Sequence, residues 1–170
     1  MKELILGGMR SGKSRLAEQH AQESGLSVTY LATATAQDDE MRQRIAHHQA
    51  QRPGHWRLVE EPIALAAALQ RHAAEDRCLL VDCLTLWLTN LLCLDNELRL
   101  RGEMDALLDM LPKLPGSIIL VGNETGMGVV PMGELTRRYC DEAGRLHQAI
   151  AARCDRVILT VAGLPLNLKG

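Results

Sequence analysis

The feature that most constrains this chain is Gly7-Gly8-Met9-Arg10-Ser11-Gly12-Lys13-Ser14, which fits the pattern GxxxxGK[ST]. It stands between an apolar run, Glu3–Leu6, and a stretch with helical periodicity, Lys13–Ser24. In that setting backbone N–H groups wrap phosphates, the lysine reaches the β and γ oxygens, and the serine hydroxyl is a ligand for Mg2+ at a helix N-terminus. The competing reading is a glycine turn arisen by chance. Only four lysines occur in the 170 residues and one of them holds the required position, which favours the phosphate loop.

Strand-like runs recur at Ser27–Ala32, Cys78–Asp82, Ser117–Gly122 and Arg156–Ala162, separated by stretches long enough for helices. Continuous apolar runs alternating with helices predict a parallel sheet covered on both faces. Helices are expected over Asp38–Gln51, Pro62–Arg71, Thr85–Leu94, Glu103–Leu111 and Gly133–Arg153, and the alternating tail Leu164-Pro165-Leu166-Asn167-Leu168 predicts an antiparallel edge strand. The expected fold is α/β, a doubly wound, mostly parallel sheet in one domain spanning residues 1–170. A length of 170 residues suits one core and leaves little room for a second.

Composition narrows the function classes. The net charge is −2, Phe is absent, and only Tyr30, Tyr139, Trp56 and Trp87 carry aromatic rings, so a basic platform of stacked rings for nucleic acid is not expected. Five widely spaced cysteines without a CxxC pair read as buried, reduced thiols of a cytoplasmic protein. The start lacks the shape of a signal peptide. The most apolar stretch, Cys78–Leu94, is too short to span a membrane and carries Asp82, Thr85, Thr89 and Asn90.

Asp82 closes the third of the five strand-like runs, where an acidic partner for Mg2+ is expected; the alternative is a cap for the helix that follows. A GTPase switch would need Asn-Lys-x-Asp after a later strand, and this chain has Gly122-Asn123-Glu124-Thr125. Asn123 and Glu124 fall where ligands enter open α/β sheets, although a plain strand-end turn accounts for them equally. In the expected helix from Asp38, Met41, Ile45 and His48 share one stripe, while Glu40, Arg44, His47 and Gln51 share a polar one. His47 is therefore either a solvated surface imidazole or, beside a nucleotide, a nucleophile or proton shuttle.

These residues together resemble the bifunctional adenosylcobinamide kinase/adenosylcobinamide-phosphate guanylyltransferases of cobalamin biosynthesis. The likeness runs nearly end to end: the phosphate loop with Arg15, Tyr30-Leu31-Ala32-Thr33-Ala34-Thr35, Asp38-Asp39-Glu40-Met41 with Arg44-Ile45 and His47-His48, and Arg52-Pro53-Gly54-His55-Trp56. It continues through Asp82-Cys83, Thr89-Asn90-Leu91-Leu92, Asn123-Glu124, Gly126-Met127-Gly128-Val129-Val130-Pro131, and Asp141 with Ala143-Gly144-Arg145. Two positions depart from the pattern: Gly122 and Thr125 stand where a hydroxyl residue and a valine are common.

The resemblance implies a P-loop NTPase sheet of RecA-like type and two reactions. A nucleoside triphosphate, GTP or ATP, phosphorylates adenosylcobinamide; GTP then guanylylates a histidine, here His47, and GMP passes to adenosylcobinamide phosphate. Lys13 is the second catalytic residue. Nucleotide contacts are implied for Gly7, Gly8, Met9, Arg10, Ser11, Gly12, Lys13 and Ser14, for Thr33, Ala34 and Thr35, for Gln51, Arg52, Pro53 and Gly54, and for Glu60 and Asp82. Ser14 and Asp82 are the implied Mg2+ ligands, and a homotrimer is the implied assembly. With so few rings, the guanine base is expected to be held by backbone and polar groups, Trp56 being the one large ring near the site in sequence. The competing readings are a small-molecule kinase without nucleotidyl transfer and a nucleotide-binding module without turnover.

Overall fold

The five apolar runs of the sequence become neighbouring strands, and their order decides where ligands enter. The computed structural model describes residues 1–34 and 53–170. β1 (Lys2–Gly7), β2 (Ser27–Ala32), β3 (Arg57–Glu60), β4 (Arg77–Asp82), β5 (Ser117–Asn123), β6 (Arg156–Val161) and β7 (Leu164–Lys169) form one sheet in the order β3-β2-β4-β5-β1-β6-β7. All neighbours are parallel except β6 and β7, so the antiparallel tail is where the alternating pattern put it. β3 is not among the expected strands. It lies on the edge with a single two-residue apolar step, Leu58-Val59, and Leu58 is exposed, so it lacks the run that marks the central strands.

Both faces of the sheet are covered, as the unbroken apolar runs require. On one face α1 (Lys13–Glu23) sets Ala17 and Ala21 against Ile5, Leu80 and Ile119, the small side chains letting the helix approach closely. On the other, α2 (Leu65–His72), α3 (Leu84–Cys93), α4 (Glu97–Met110) and α5 (Glu134–Arg153) enclose Leu4, Leu79, Val81 and Leu120 in a larger cluster. Each fully buried leucine contributes roughly 1.5–3 kcal/mol. Leucine supplies the volume that Phe supplies elsewhere, and Trp87 on α3 is the largest fully buried side chain, its Nε1–H donating to the Ile63 carbonyl at 2.7 Å. α4 begins at Glu97, six residues before the expected Glu103, because Asn96 caps it by accepting from the Arg99 N–H at 3.0 Å.

All five cysteines are free, with Cys78, Cys83 and Cys154 buried. Burial pushes the Cys83 thiol up to about 11 and the Cys154 thiol up to about 12. Cys93 and Cys140 correct the expectation of five buried thiols: Cys93, on the last turn of α3, is exposed, and Cys140 on α5 is half-buried. No helix among the described residues is long and apolar enough to cross a membrane.

Because the strands are parallel, Gly7, Ala32, Glu60, Asp82 and Asn123 all end at one edge of the sheet. β1 and β5 are adjacent there, yet α1 and α5 that follow them pack on opposite faces. Their exits therefore part, opening the kind of crevice in which α/β sheets bind ligands.

Candidate active site

Two of the three glycines of the phosphate loop, Gly7 and Gly12, stand at positions no other residue fits. A Cβ on Gly7 would lie 2.4 Å from Ser11 Oγ and 2.6 Å from the Thr160 carbonyl oxygen, and Gly12 has φ +95 and faces the Gly163 Cα at 3.2 Å. The Ser11 N–H donates to the Gly8 carbonyl at 3.2 Å, and the Gly163 N–H at the β6–β7 turn donates to the Ser11 carbonyl at 2.9 Å. Gly12 leads into α1 with no side chain capping the helix, so the first amides remain for an anion. Lys13 Nζ folds back onto the Gly8 carbonyl at 3.1 Å, closing the loop on itself. Burial pushes the Lys13 ammonium below the usual lysine range, and Asp82 draws it partly back.

Polar groups around the loop are left unsatisfied. The side-chain oxygens of Ser11, Asn123 and Thr160 are buried and without hydrogen-bond partners among the described residues. All three lie at the loop: Asn123 and Thr160 are the register partners of Gly7 on the strands flanking β1. Buried orphans of this sort cost free energy unless a ligand or ordered water meets them, and three of the five among the described residues, the others being on Ser117 and Tyr139, gather at the loop.

Asp82 ends β4 and accepts a 2.8 Å hydrogen bond from the Tyr30 hydroxyl. It does not cap the next helix, whose N-cap is Cys83 with no side-chain bond. Mg2+ takes one or two protein oxygens together with waters and substrate phosphates. Ser14 in the first turn of α1 and Asp82, whose charge reaches Lys13, carry oxygens of the kind such a donor set needs.

The exit of β2 is held from α3. Thr33 is fully buried, and its hydroxyl donates to the Cys83 carbonyl at 2.7 Å and accepts from the Cys83 N–H at 2.9 Å. Asn90 Nδ2 donates to the Thr33 carbonyl at 2.8 Å and the Pro62 carbonyl at 3.1 Å, and the Asn123 N–H donates to Thr85 Oγ1 at 2.8 Å. Thr85 and Asn90 thus brace three strand exits. In the sequence both stand out only as polar breaks in an apolar stretch, and their bracing role is unreadable there because their partners are distant backbone atoms. Ala34 is half-buried beside Thr33, and Glu60 is exposed at the end of β3. Its neighbour Glu61 has a structural task, accepting from the Ile63 and Ala64 N–H groups at 3.1 and 2.8 Å.

His47, Thr35, Gln51 and Arg52, and the helix expected over Asp38–Gln51, lie outside the described residues. Pro53 and Gly54 form a turn closed by the Trp56 N–H donating to the Pro53 carbonyl at 3.1 Å. The Trp56 ring packs against the cluster under α1.

Gly122 explains one departure from the family pattern. A Cβ there would sit 2.9 Å from His147 Nε2 and 3.2 Å from Leu6 Cδ2, so glycine is the partner of an imidazole that α5 presses onto β5. Burial pushes the His147 imidazole below the usual histidine range, with Glu124 pulling the other way; burial also lowers His72, aided by Arg57, Arg71 and Arg77. Below about pH 6.5 the unfolded chain then binds protons that the folded chain refuses, so stability falls as pH drops through this window. The urea midpoint is expected to decrease between pH 7.5 and 5.5, and to decrease less in the His72→Gln/His147→Gln variant. An equal decrease in both proteins would contradict these assignments.

Comparison with known proteins shows the family and the fold. The family model described as "Cobinamide kinase / cobinamide phosphate guanyltransferase" matches residues 3–168. The bifunctional adenosylcobalamin biosynthesis protein CobP of Pseudomonas aeruginosa is 69% identical over 170 residues, covering 100% of this chain and 98% of that protein. The bifunctional adenosylcobalamin biosynthesis protein CobU of Salmonella typhimurium is 38% identical, covering 99% of this chain and 100% of its own. In fold the chain is similar to the RadB recombinase, with a TM-score of 0.54 at 18% identity over 93% of this chain and 73% of that one.

Proposed function

From the premise that this chain belongs to the cobinamide kinase / cobinamide phosphate guanyltransferase family, and so phosphorylates cobinamide and guanylylates its phosphate, we propose that one phosphate loop serves both reactions and that His47 carries GMP between them. The observation that carries this reading is the uncapped, glycine-built loop, with Lys13, Asp82 and three orphaned polar side chains gathered at one crevice.

In the kinase step the terminal hydroxyl of adenosylcobinamide attacks the γ-phosphorus of GTP or ATP. The new O–P bond forms as the bond to the bridging β–γ oxygen breaks, the nucleoside diphosphate leaves, and the hydroxyl proton passes to solvent. In the transfer step a nitrogen of His47 attacks the α-phosphorus of GTP, forming an N–P bond while pyrophosphate leaves with the bridging oxygen. A phosphate oxygen of adenosylcobinamide phosphate then displaces the imidazole, giving adenosylcobinamide-GDP and restoring His47. The covalent link preserves the energy of the nucleotide until the second acceptor arrives.

Lys13 serves both steps by neutralising charge on the departing phosphate oxygens, and the free amides of α1 orient the phosphates. Ser14 and Asp82 would hold Mg2+, which would supply further neutralisation of the same charge. Thr33 acts through its backbone, its hydroxyl being spent on Cys83. Thr35, the Gln51–Gly54 stretch and Glu60 complete the nucleotide side. A non-hydrolysable GTP analogue is expected to inhibit ATP-driven phosphorylation and guanylyl transfer competitively, with equal inhibition constants. Constants differing tenfold or more would mean two sites.

The exposed apolar side chains of Leu164, Leu166 and Leu168 on the edge strand β7 support a homotrimer of these single-domain chains (residues 1–170), since uncovered apolar edges invite pairing. Light scattering that returns the mass of one chain would overturn it. Five free thiols favour a reducing, cytoplasmic setting.

A further inference from the structure

Between the end of β5 and α5 lies a cavity that none of the nucleotide contacts lines. Its volume is about 290 Å3, and its lining includes Val129, Val130, Pro131, Arg137, Cys140 and Asp141. Apolar side chains crowd the same segment and face solvent: Met127 is 75% exposed, Val129 95%, Val130 74% and Met132 96%. Scattered exposed apolar residues need no explanation, whereas four within six positions mark a surface awaiting a partner.

The position identifies that partner. The Glu124 N–H donates to the Gly7 carbonyl at 3.0 Å, and Glu124 Oε1 accepts from the Gly126 N–H at 2.6 Å. At no more than about 3.8 Å per residue, the cavity therefore starts within roughly 8 Å of the first glycine of the loop. A molecule bound here can place a terminal oxygen over the phosphates while most of its bulk stays outside. The nucleotide takes the α1 side of the crevice, which leaves the α5 side to the phosphoryl acceptor.

The lining also fits the acceptor's chemistry. A corrin is a broad, largely apolar macrocycle edged with uncharged carboxamide arms. Val129 and Val130 offer it an apolar face, and Arg137 and Asp141 offer a donor and an acceptor for the arms. Arg137 already braces the rim by donating to the Pro131 carbonyl at 3.1 Å and to the Met132 carbonyl.

We propose that this cavity and its apolar rim dock the corrin macrocycle of the cobinamide substrate, a proposal that rests on the kinase and guanylyltransferase reading of the same crevice. Cys140, in the lining with its Sγ 3.9 Å from the Thr125 carbonyl oxygen, is a built-in reporter, and exposed Cys93 on α3 is its control.

The test follows alkylation of both thiols by N-ethylmaleimide, read by peptide mass spectrometry in the dark, with and without saturating adenosylcobinamide. The expected result is alkylation of Cys140 slowed at least tenfold while Cys93 is unchanged, with no slowing of Cys140 by GTP alone. In parallel, Val130→Asp, a change at an exposed position, is expected to raise the KM for adenosylcobinamide at least tenfold and leave the KM for GTP unchanged. Unslowed Cys140 in a protein that still phosphorylates adenosylcobinamide would overturn the docking site alone. Slowing that tracks protein concentration and ignores adenosylcobinamide would assign the face to a second copy of the chain and overturn it too. Failure to phosphorylate adenosylcobinamide at all would remove the underlying reading, and the docking site with it.

Discussion

Replacement of Lys13 by alanine is expected to slow both reactions by about 10²–10³-fold, the cost of losing one preorganised charge at a developing anion. That factor corresponds to about 3–4 kcal/mol of transition-state stabilisation. The folded state gives up little in exchange. Lys13 Nζ rests on the Gly8 carbonyl at 3.1 Å in an exposed loop, and the bond contributes little where water can replace it. Thermal melting should therefore be nearly unchanged while initial rates with γ-labelled and α-labelled GTP fall together. Lys13→Arg should not restore them, because a planar, delocalised guanidinium does not place a compact point charge where the ammonium does. Loss of one reaction with the other intact would show that the loop serves only one of them.

Trp87→Ala is expected to have the largest effect on stability. Trp87 is fully buried at the centre of the larger core cluster, and truncation of such a side chain costs about 3–5 kcal/mol. It also removes the 2.7 Å bond from the indole to the Ile63 carbonyl, which keeps its 3.0 Å bond from the Leu65 N–H, so the further cost is that of one hydrogen bond, about 0.5–1.5 kcal/mol. Against a total of about 5–15 kcal/mol for a typical domain, the variant should lose a large share of its stability. Trp87→Phe retains much of the volume and loses only the donor, so its urea midpoint should fall between those of wild type and Trp87→Ala. Thr85 and Asn90 flank Trp87 on α3 and hold the exits of β5 and β2, so the site loosens with the core. A wild-type midpoint in Trp87→Ala would contradict this packing.

The central strands were legible because a strand buried on both faces needs an unbroken apolar run, as Cys78-Leu79-Leu80-Val81 provides. β3 was not, since its edge position leaves Arg57, Leu58 and Glu60 exposed and demands no pattern. The phosphate loop was legible because backbone geometry imposes glycine at Gly7 and Gly12. The bracing of its surroundings was not: Asn90 spends its amide on carbonyls 57 and 28 residues away, and nothing local records those partners. Asp82 and Cys83 illustrate the middle ground. The sequence left Asp82 between metal ligand and helix cap, and the folded chain gives the cap position to Cys83 and places Asp82 beside Lys13. The cavity along α5 was hidden for the same reason as the bracing, since Val130 and Cys140 line one cavity only when the chain beyond β5 folds back onto that helix.

The central claim is that GMP rests on His47 between the two reactions, and covalent labelling tests it most directly. Protein incubated with Mg2+ and GTP labelled at the α-phosphorus, then denatured, should retain acid-labile, base-stable label, as a phosphorus–nitrogen bond requires. His47→Ala should retain none, yet should still pass label from γ-labelled GTP to adenosylcobinamide. Absence of α label from a wild-type protein that phosphorylates adenosylcobinamide, or full α label in His47→Ala, would contradict the account.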